Sequence, residues 1–148
     1  MSDDLPGAVL FACSQNAIRS PMAEAIMKHF YGRRVFVDSC GVRAGERDEF
    51  IPGILDEIGV DVSRHKSKTF DDLVDSNFDL VISLSPEAHH KAMELTRTNA
   101  IEVVYWPTID PSLTVGSRDQ ILDGYRACRD TLLKRMRDKF GKTGVPSG

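Results

Sequence analysis

The chain is predicted to fold as a doubly wound α/β sandwich, with four parallel strands between two layers of helix. Three observations point there. Short apolar runs alternate along the sequence with segments whose apolar residues recur at helical spacing. The clearest run, FDLVISLS at 78–85, is apolar nearly throughout, as befits a strand covered on both faces. Ser-Pro at 20–21 and again at 85–86 repeats a helix-start signal soon after a strand. At 148 residues the chain makes one domain by length, able to bury roughly two-thirds of its unfolded surface without a metal or disulfide framework.

Taken in order, AVLFACSQNAIRSPMAE at 8–24 reads as a strand, a short polar loop and a helix. Ser20 is placed as the N-cap and Pro21 at the first helical position. Met22, Ala25, Ile26 and Phe30 form one stripe of that helix, and Gly32 ends it. RVFVDS is the second strand. CGVRAGERD, glycine-rich and charged, is read as a loop leaving the C-terminal edge of the sheet, where parallel sheets hold ligands. A second helix runs from about Phe50 to Ile58, carrying Ile51, Ile54, Leu55 and Ile58 before Gly59. VDVSRHKSKTFDDL is polar and mostly irregular. The third strand, FDLVISLS, leads into a helix opened by Ser85-Pro86, and IEVVYWP is the fourth strand. The last helix begins near Arg118, with Ser117 and Gln120 as a capping box and a stripe of Ile121, Tyr125, Cys128, Leu132, Met136 and Phe140. The domain is expected to span 1–140, with 141–148 a loose tail; there is no internal repeat and no linker.

Composition removes several classes of function. Hydrophobic residues at 41% and charged ones at 28% exclude a disordered or fibrous chain. The net charge of −3, with no run of lysines and arginines, argues against nucleic acid as a ligand. MSDDLPG has neither a basic nor an apolar segment, and no apolar run approaches the length of a membrane span, so a cytoplasmic location without a membrane partner is expected. Three unevenly spaced cysteines fit a reducing compartment.

The chemistry concentrates at Cys13. It ends the first strand, and Arg19 follows six residues later at the start of a helix. Backbone N–H groups of such a loop, the helix N-terminus and a bidentate guanidinium converge on one spot, which makes a cradle for a tetrahedral oxyanion. The same field lowers a thiol from its free value of about 8.5, so Cys13 is expected as a thiolate facing the bound anion. A buried cysteine with an arginine nearby by chance is the competing reading, since Cys-x5-Arg alone is a weak pattern. The strand before and the helix after favour the cradle. Cys40 and Cys128 lack the arrangement, having Glu46 and Lys134 six residues on.

VLFACSQNAIRSPMAEA resembles the signature of the low-molecular-weight protein tyrosine phosphatases and of the arsenate reductases sharing their fold, in which Cys-x5-Arg-Ser-Pro-x-Ala-Glu follows the first strand. Cys13, Asn16, Arg19, Ser20, Pro21, Ala23 and Glu24 match. Ser14 and Gln15 depart from it where a glycine is usual before the asparagine, and Ile18 stands where many members carry a second cysteine. The resemblance implies a phosphotyrosine-phosphatase-I-like sheet of order 2-1-3-4. It also implies phosphate binding by Ser14, Gln15, Asn16, Ala17, Ile18, Arg19 and Ser20, with Ser20 bonding the sulfur and Asn16 holding the loop in shape.

WPTIDPSL, between the fourth strand and the last helix, leaves the same sheet edge, and Asp110 is its only carboxylate. As an acid it would protonate a departing oxygen, worth about 10²- to 10⁴-fold in rate. Asp-Pro is also ordinary turn chemistry, and spacing alone does not separate the two readings. The resemblance favours the first, because family members carry Asp-Pro here with the aspartate as general acid. After Asp-Pro the phosphatases often place a tyrosine that walls the slot for the phosphotyrosine ring; here Ser112 stands. Trp106, Arg43 and Phe50 are candidates for another wall, with core packing or a solvated loop the favoured reading of each.

The expectation is therefore a cysteine phosphatase with Cys13, Arg19 and Asp110 catalytic. It would act on a phosphorylated protein, through phosphotyrosine, or on a small phosphomonoester, with no cofactor and no metal. An arsenate reductase is the alternative, because arsenate is isosteric with phosphate. Thioredoxin-coupled members carry resolving cysteines after the third strand, where SLSPEAHHKAMEL has none, so this chain would borrow an external small-molecule thiol. A non-catalytic phosphate-binding module is the third reading; it would need neither thiolate nor acid. Cys40 reads as a small core residue, with a protective disulfide to Cys13 as the alternative, and Cys128 as packing. His89 and His90 beside Glu87 read as a polar helix face rather than metal ligands. His65 with Lys66 and Lys68 reads as a solvated basic loop.

Overall fold

The computed structural model describes residues 5–62, 65–73, 77–97 and 100–141. Alternation of strand and helix is realised as β1 (Ala8–Cys13), α1 (Arg19–Tyr31), β2 (Phe36–Gly41), α2 (Ile51–Asp56), β3 (Leu80–Ser83), α3 (Pro86–Leu95), β4 (Glu102–Tyr105) and α4 (Arg118–Phe140). Short 3₁₀ turns occupy Phe70–Asp72 and Pro111–Leu113. The four strands are parallel in the order β2-β1-β3-β4, as the resemblance implied. Residues 142–148, most of the expected tail, lie outside the described residues.

Because side chains alternate along a strand, β1 feeds two separate cores. Val9, Phe11 and Cys13 pack on one face with α1, α2 and α4, where Met22, Ile26, Leu55 and Leu132 are fully buried. Leu10 and Ala12 pack on the other face with Cys40, Val81 and the α3 residues Ala88 and Ala92. Both faces of β1 and β3 are thus covered, which explains their unbroken apolar sequences.

Local signals placed most helix boundaries. Ser85 caps α3 by accepting from Ala88 N at 3.2 Å, and Ser117 and Gln120 form the capping box of α4. Tyr125, Cys128, Leu132, Met136 and Phe140 bury the predicted stripe of α4, while Ile121 is half-buried. Two expectations are corrected. The second strand starts at Phe36 and runs on through Cys40 and Gly41, which pair with Ala12 and Cys13, so those two residues belong to the sheet and not to the following loop. Ser20 is not the cap of α1. Ile18 holds that position without any side-chain cap, and Ser20 lies inside the first turn. A hydroxyl at the true cap would tie up N–H groups at the helix entrance; here they are left to the loop's interior.

Candidate active site

Cys13 sits where β1 stops and the chain turns through residues 14–18 into α1. The loop is shaped by what its carbonyls meet. Cys13 O, Ser14 O, Gln15 O and Ala17 O accept from Val42 N, Arg43 N, Gly45 N and Asp48 N at 3.1, 2.8, 2.7 and 3.2 Å. Asn16 O accepts from Ser67 Oγ at 3.2 Å. Every carbonyl from Cys13 to Ala17 therefore points outward, into the segment following β2 or toward Ser67. In a trans peptide the N–H points opposite to the C=O of its own unit, so the N–H groups of Ser14 through Ile18 turn inward. With the uncapped N-terminus of α1 they make a concave array of donors around one point.

Two close approaches permit this path. A β-carbon on Gly41 would lie 2.6 Å from Asn16 N and 2.5 Å from Arg43 O, so only glycine lets the end of β2 press against the loop. Gln15 turns its side chain over Gly45, where an added β-carbon would meet Gln15 Oε1 at 3.0 Å. The glutamine that replaces the usual glycine is accommodated by a glycine opposite.

Asn16 is the brace. It is fully buried and is the only non-glycine described residue at positive φ, +53°, a region asparagine tolerates. Its Nδ2 donates to Ser20 Oγ at 2.8 Å and Ser39 Oγ at 2.9 Å, and its Oδ1 accepts from Lys68 N at 2.9 Å. Ser39 Oγ donates in turn to Glu24 Oε1. Burial alone would raise the Glu24 carboxyl, but hydrogen bonds from His65, Lys28 and Ser39 overcome it and hold the group down at about 2. Glu24 is therefore a buried carboxylate that anchors the chain of bonds behind the loop.

Ser20 Oγ stands 2.9 Å from Cys13 Sγ. Since Asn16 donates to the Ser20 oxygen, the Ser20 proton is free for the sulfur or for Cys40 O at 3.3 Å, and the sulfur is nearer. Arg19, half-buried, donates from Nη1 to Thr108 O at 2.9 Å, which fixes it against the segment bearing Asp110. Asp110 Oδ1 accepts from Ser112 N at 2.9 Å and Ser112 Oγ at 2.7 Å, leaving Oδ2 without a partner among the described residues. Cys13, Ser14, Gln15, Ala17, Ile18, Arg19, Asp110 and Ser112 line one pocket of about 110 Å³. Larger hollows exist, one of about 320 Å³ against Glu24 and His65, but it lacks the thiol and the inward N–H groups. Of the predicted site residues, Asn16 and Ser20 lie behind the pocket as supports, and the rest line it.

One expectation changes here, that for His65, and the favoured readings of Cys40, Trp106, Phe50 and His89 hold. His65 is not a solvated loop residue: its side chain is 3% exposed, with Nδ1 3.3 Å from Glu24 Oε1 and Nε2 3.4 Å from Asn16 O. Cys40 and Cys13 belong to opposite faces of the sheet, so a disulfide between them would have to pass through it; burial raises the Cys40 thiol strongly. Trp106 is core packing, with Phe11 and Phe140 against its ring, and Phe50 packs on Tyr125. His89 bonds Ser83 Oγ at 2.8 Å and stacks on Tyr105, while Glu87 pairs with Arg43 at 2.6 Å. Asp48 and Tyr125 were not anticipated. Tyr125 OH donates to Asp48 Oδ2 at 2.7 Å, and Asp48 N donates to Ala17 O, so α4 buttresses the loop through them. A signal was available: a tyrosine in a buried helix stripe needs a partner for its hydroxyl.

A parallel 2-1-3-4 sheet with a Cys-x5-Arg loop at its C-terminal edge and an Asp-Pro turn opposite defines an oxyanion-site α/β protein. Similarity to known proteins agrees. The family model of low molecular weight phosphotyrosine protein phosphatase matches residues 8–142, and the chain belongs to that family. An arsenate reductase of Halalkalibacterium halodurans is 32% identical over 136 residues, 92% of this chain and 96% of that protein. Among solved structures, a YwlE mutant from Bacillus subtilis matches with TM-score 0.73 at 25% identity, covering 88% of this chain and 94% of that one. The tyrosine phosphatase Wzb from Escherichia coli K30, in complex with sulphate, matches with TM-score 0.72 at 18% identity, covering 93% and 100%. Among the described residues, no helix is long and apolar enough to cross a membrane.

Proposed function

We propose that the chain hydrolyses phosphomonoesters, protein phosphotyrosine foremost, through a phosphocysteine on Cys13. The observation that carries the reading is Asp110 in the same small pocket as Cys13 and Arg19, with one carboxylate oxygen unpartnered among the described residues. The phosphoryl dianion would be held by the inward N–H groups of residues 14–18 and by Arg19. The Cys13 thiolate attacks phosphorus in line, the bond to the leaving oxygen breaks, and Asp110 gives that oxygen its proton. In the second step Asp110, now a carboxylate, takes a proton from water as the water attacks the phosphocysteine. The P–S bond breaks, inorganic phosphate leaves, and the thiolate is restored with the Ser20 hydroxyl donating to it. Fixed dipoles and one guanidinium supply the stabilisation of the developing charge.

Arsenate reduction is the second reading, favoured by the names of relatives at 28 to 32% identity. Reducing arsenate consumes two electrons, so thiols must be oxidised. Cys40 lies across the sheet, and Cys128, buried in α4, has its thiol pushed up to about 12 by that burial. Both features favour an external thiol as the reductant in that case.

Assaying purified protein with an aryl phosphate, and separately with arsenate plus a thiol donor, separates the readings. Aryl phosphate turnover that Cys13→Ser abolishes, by roughly 10⁴-fold or more, is the expected result. Arsenate turnover without phosphatase activity would overturn it. Indifference of both activities to Cys13→Ser would leave only an oxyanion-binding module.

A further inference from the structure

The segment 107–115 separates two hollows. On one side Asp110 and Ser112 line the loop pocket; on the other, Pro107, Ile109 and Pro111 face Ala127, Cys128 and Arg135 of α4 across a groove of about 330 Å³. We propose that this groove is a side-chain subsite for an apolar residue of the same phosphorylated polypeptide whose phosphoryl group occupies the loop pocket. The proposal rests on the phosphatase reading.

Size carries the first part of the argument. The loop pocket, at about 110 Å³, has room for a tetrahedral oxyanion and little more, against the roughly 300 Å³ or above that pockets for whole organic ligands offer. The organic part of a substrate must then lie outside it, on whatever surface adjoins Asp110. That surface carries exposed aliphatic side chains, of which Ile109 lines the groove beside Thr108, Thr114 and Thr131. Ile109, Leu113 and Val115 are 84, 73 and 87% exposed, the three most exposed large hydrophobic side chains among the described residues, and all three fall within seven positions of the chain. Clustered exposed apolar side chains mark a surface that a partner covers.

Continuity supplies the second part. Asp110 faces the phosphoryl pocket while its chain neighbours Ile109 and Pro111 line the groove, so a polypeptide with its phosphorylated residue at Asp110 lies beside the groove. Ser112, where an aromatic wall would otherwise stand, leaves that path open. Arg135 donates to Pro107 O at 3.0 Å and forms no ion pair among the described residues, which favours an acidic residue in the partner next to the apolar one. The small Ala127, exposed on α4, keeps the groove clear.

The test measures kcat/KM of the full chain for two phosphotyrosine peptides that differ only in a leucine or a serine flanking the phosphotyrosine, each relative to phenyl phosphate. Wild type should prefer the leucine peptide roughly tenfold through KM, the scale of burying one aliphatic side chain. Ala127→Trp, which fills the groove from an exposed helix position, and Ile109→Ser, which removes part of its wall, should each collapse that ratio toward unity. A wild-type ratio near unity overturns the proposal, as does a preference that survives both variants. Sedimentation showing a dimer that Ile109→Ser dissociates would assign the groove to a second copy of the chain and overturn it too. If no substrate turns over, the phosphatase reading fails separately. Fluorescence anisotropy of the two peptides on Cys13→Ser protein then decides the groove, tighter binding of the leucine peptide supporting it and equal binding ending it.

Discussion

Across the pocket, two walls face each other with opposite construction. The wall of residues 13–20 is backed by Asn16, Ser39, Glu24 and His65, all buried, and joined by bonds that run from α1 through β2 to residues 65–68. The wall of residues 107–115 is largely exposed, and its acid is steadied by a serine two positions on. Holding an anion demands dipoles that do not reorganise when charge develops, and those must be locked by the fold. Delivering a proton to a variable leaving group demands contact with the substrate, and that part must be open. The first wall therefore spends stability on geometry, and the second leaves apolar surface exposed for selection.

Breaking the open wall should affect rate without affecting the fold. Asp110→Asn is expected to slow aryl phosphate hydrolysis by about 10²- to 10⁴-fold while thermal denaturation stays unchanged. The locked wall should behave in the opposite sense. The Glu24 carboxyl is held at about 2 in the folded chain, below its unfolded value, so it contributes stability above roughly pH 4.5 that is lost as pH falls toward 2. Glu24→Gln should cost about 3 kcal/mol at neutral pH and flatten the acid limb of a denaturation profile, measured by urea melts from pH 2 to 7. Asn16→Ala should lower stability by about 2 kcal/mol, and turnover should fall with it because the loop loses its brace. The smallest effect is expected at Ser112→Ala, about 1 kcal/mol or several-fold in kcat, visible for aryl phosphates with poor leaving groups and absent for good ones. Equal losses for both classes of leaving group would show that Ser112 only shapes the turn.

The starts of α3 and α4 and the loop side of the pocket were legible because each is written within a few consecutive residues. Ser85-Pro86, Ser117 with Gln120, and the run from Cys13 to Arg19 carry their own local geometry. Ser20 misled because Ser-Pro fits a cap equally well on paper; the choice of Ile18 depends on where the loop's carbonyls go, and those partners begin at Val42. His65 misled in the same way, since lysines flank it and its carboxylate partner is forty-one residues distant. Cys40 could be placed on the correct edge, but the face it occupies depends on the end of β2, which runs two residues beyond the apolar pattern. The groove beside Asp110 was invisible because it is formed by residues 107–114 together with the exposed side of α4.

Gly41 has no side chain to offer a substrate, whether phosphate ester or arsenate, yet that missing side chain is what lets the sheet and the oxyanion loop share one volume. In a saturation library scored for activity, Gly41 should tolerate as few replacements as Cys13, alanine included. The neighbouring Val42, whose side chain packs partly buried against the second core, should accept other aliphatic residues. A catalytic site of this kind thus imposes its constraint on a position that carries no chemistry of its own.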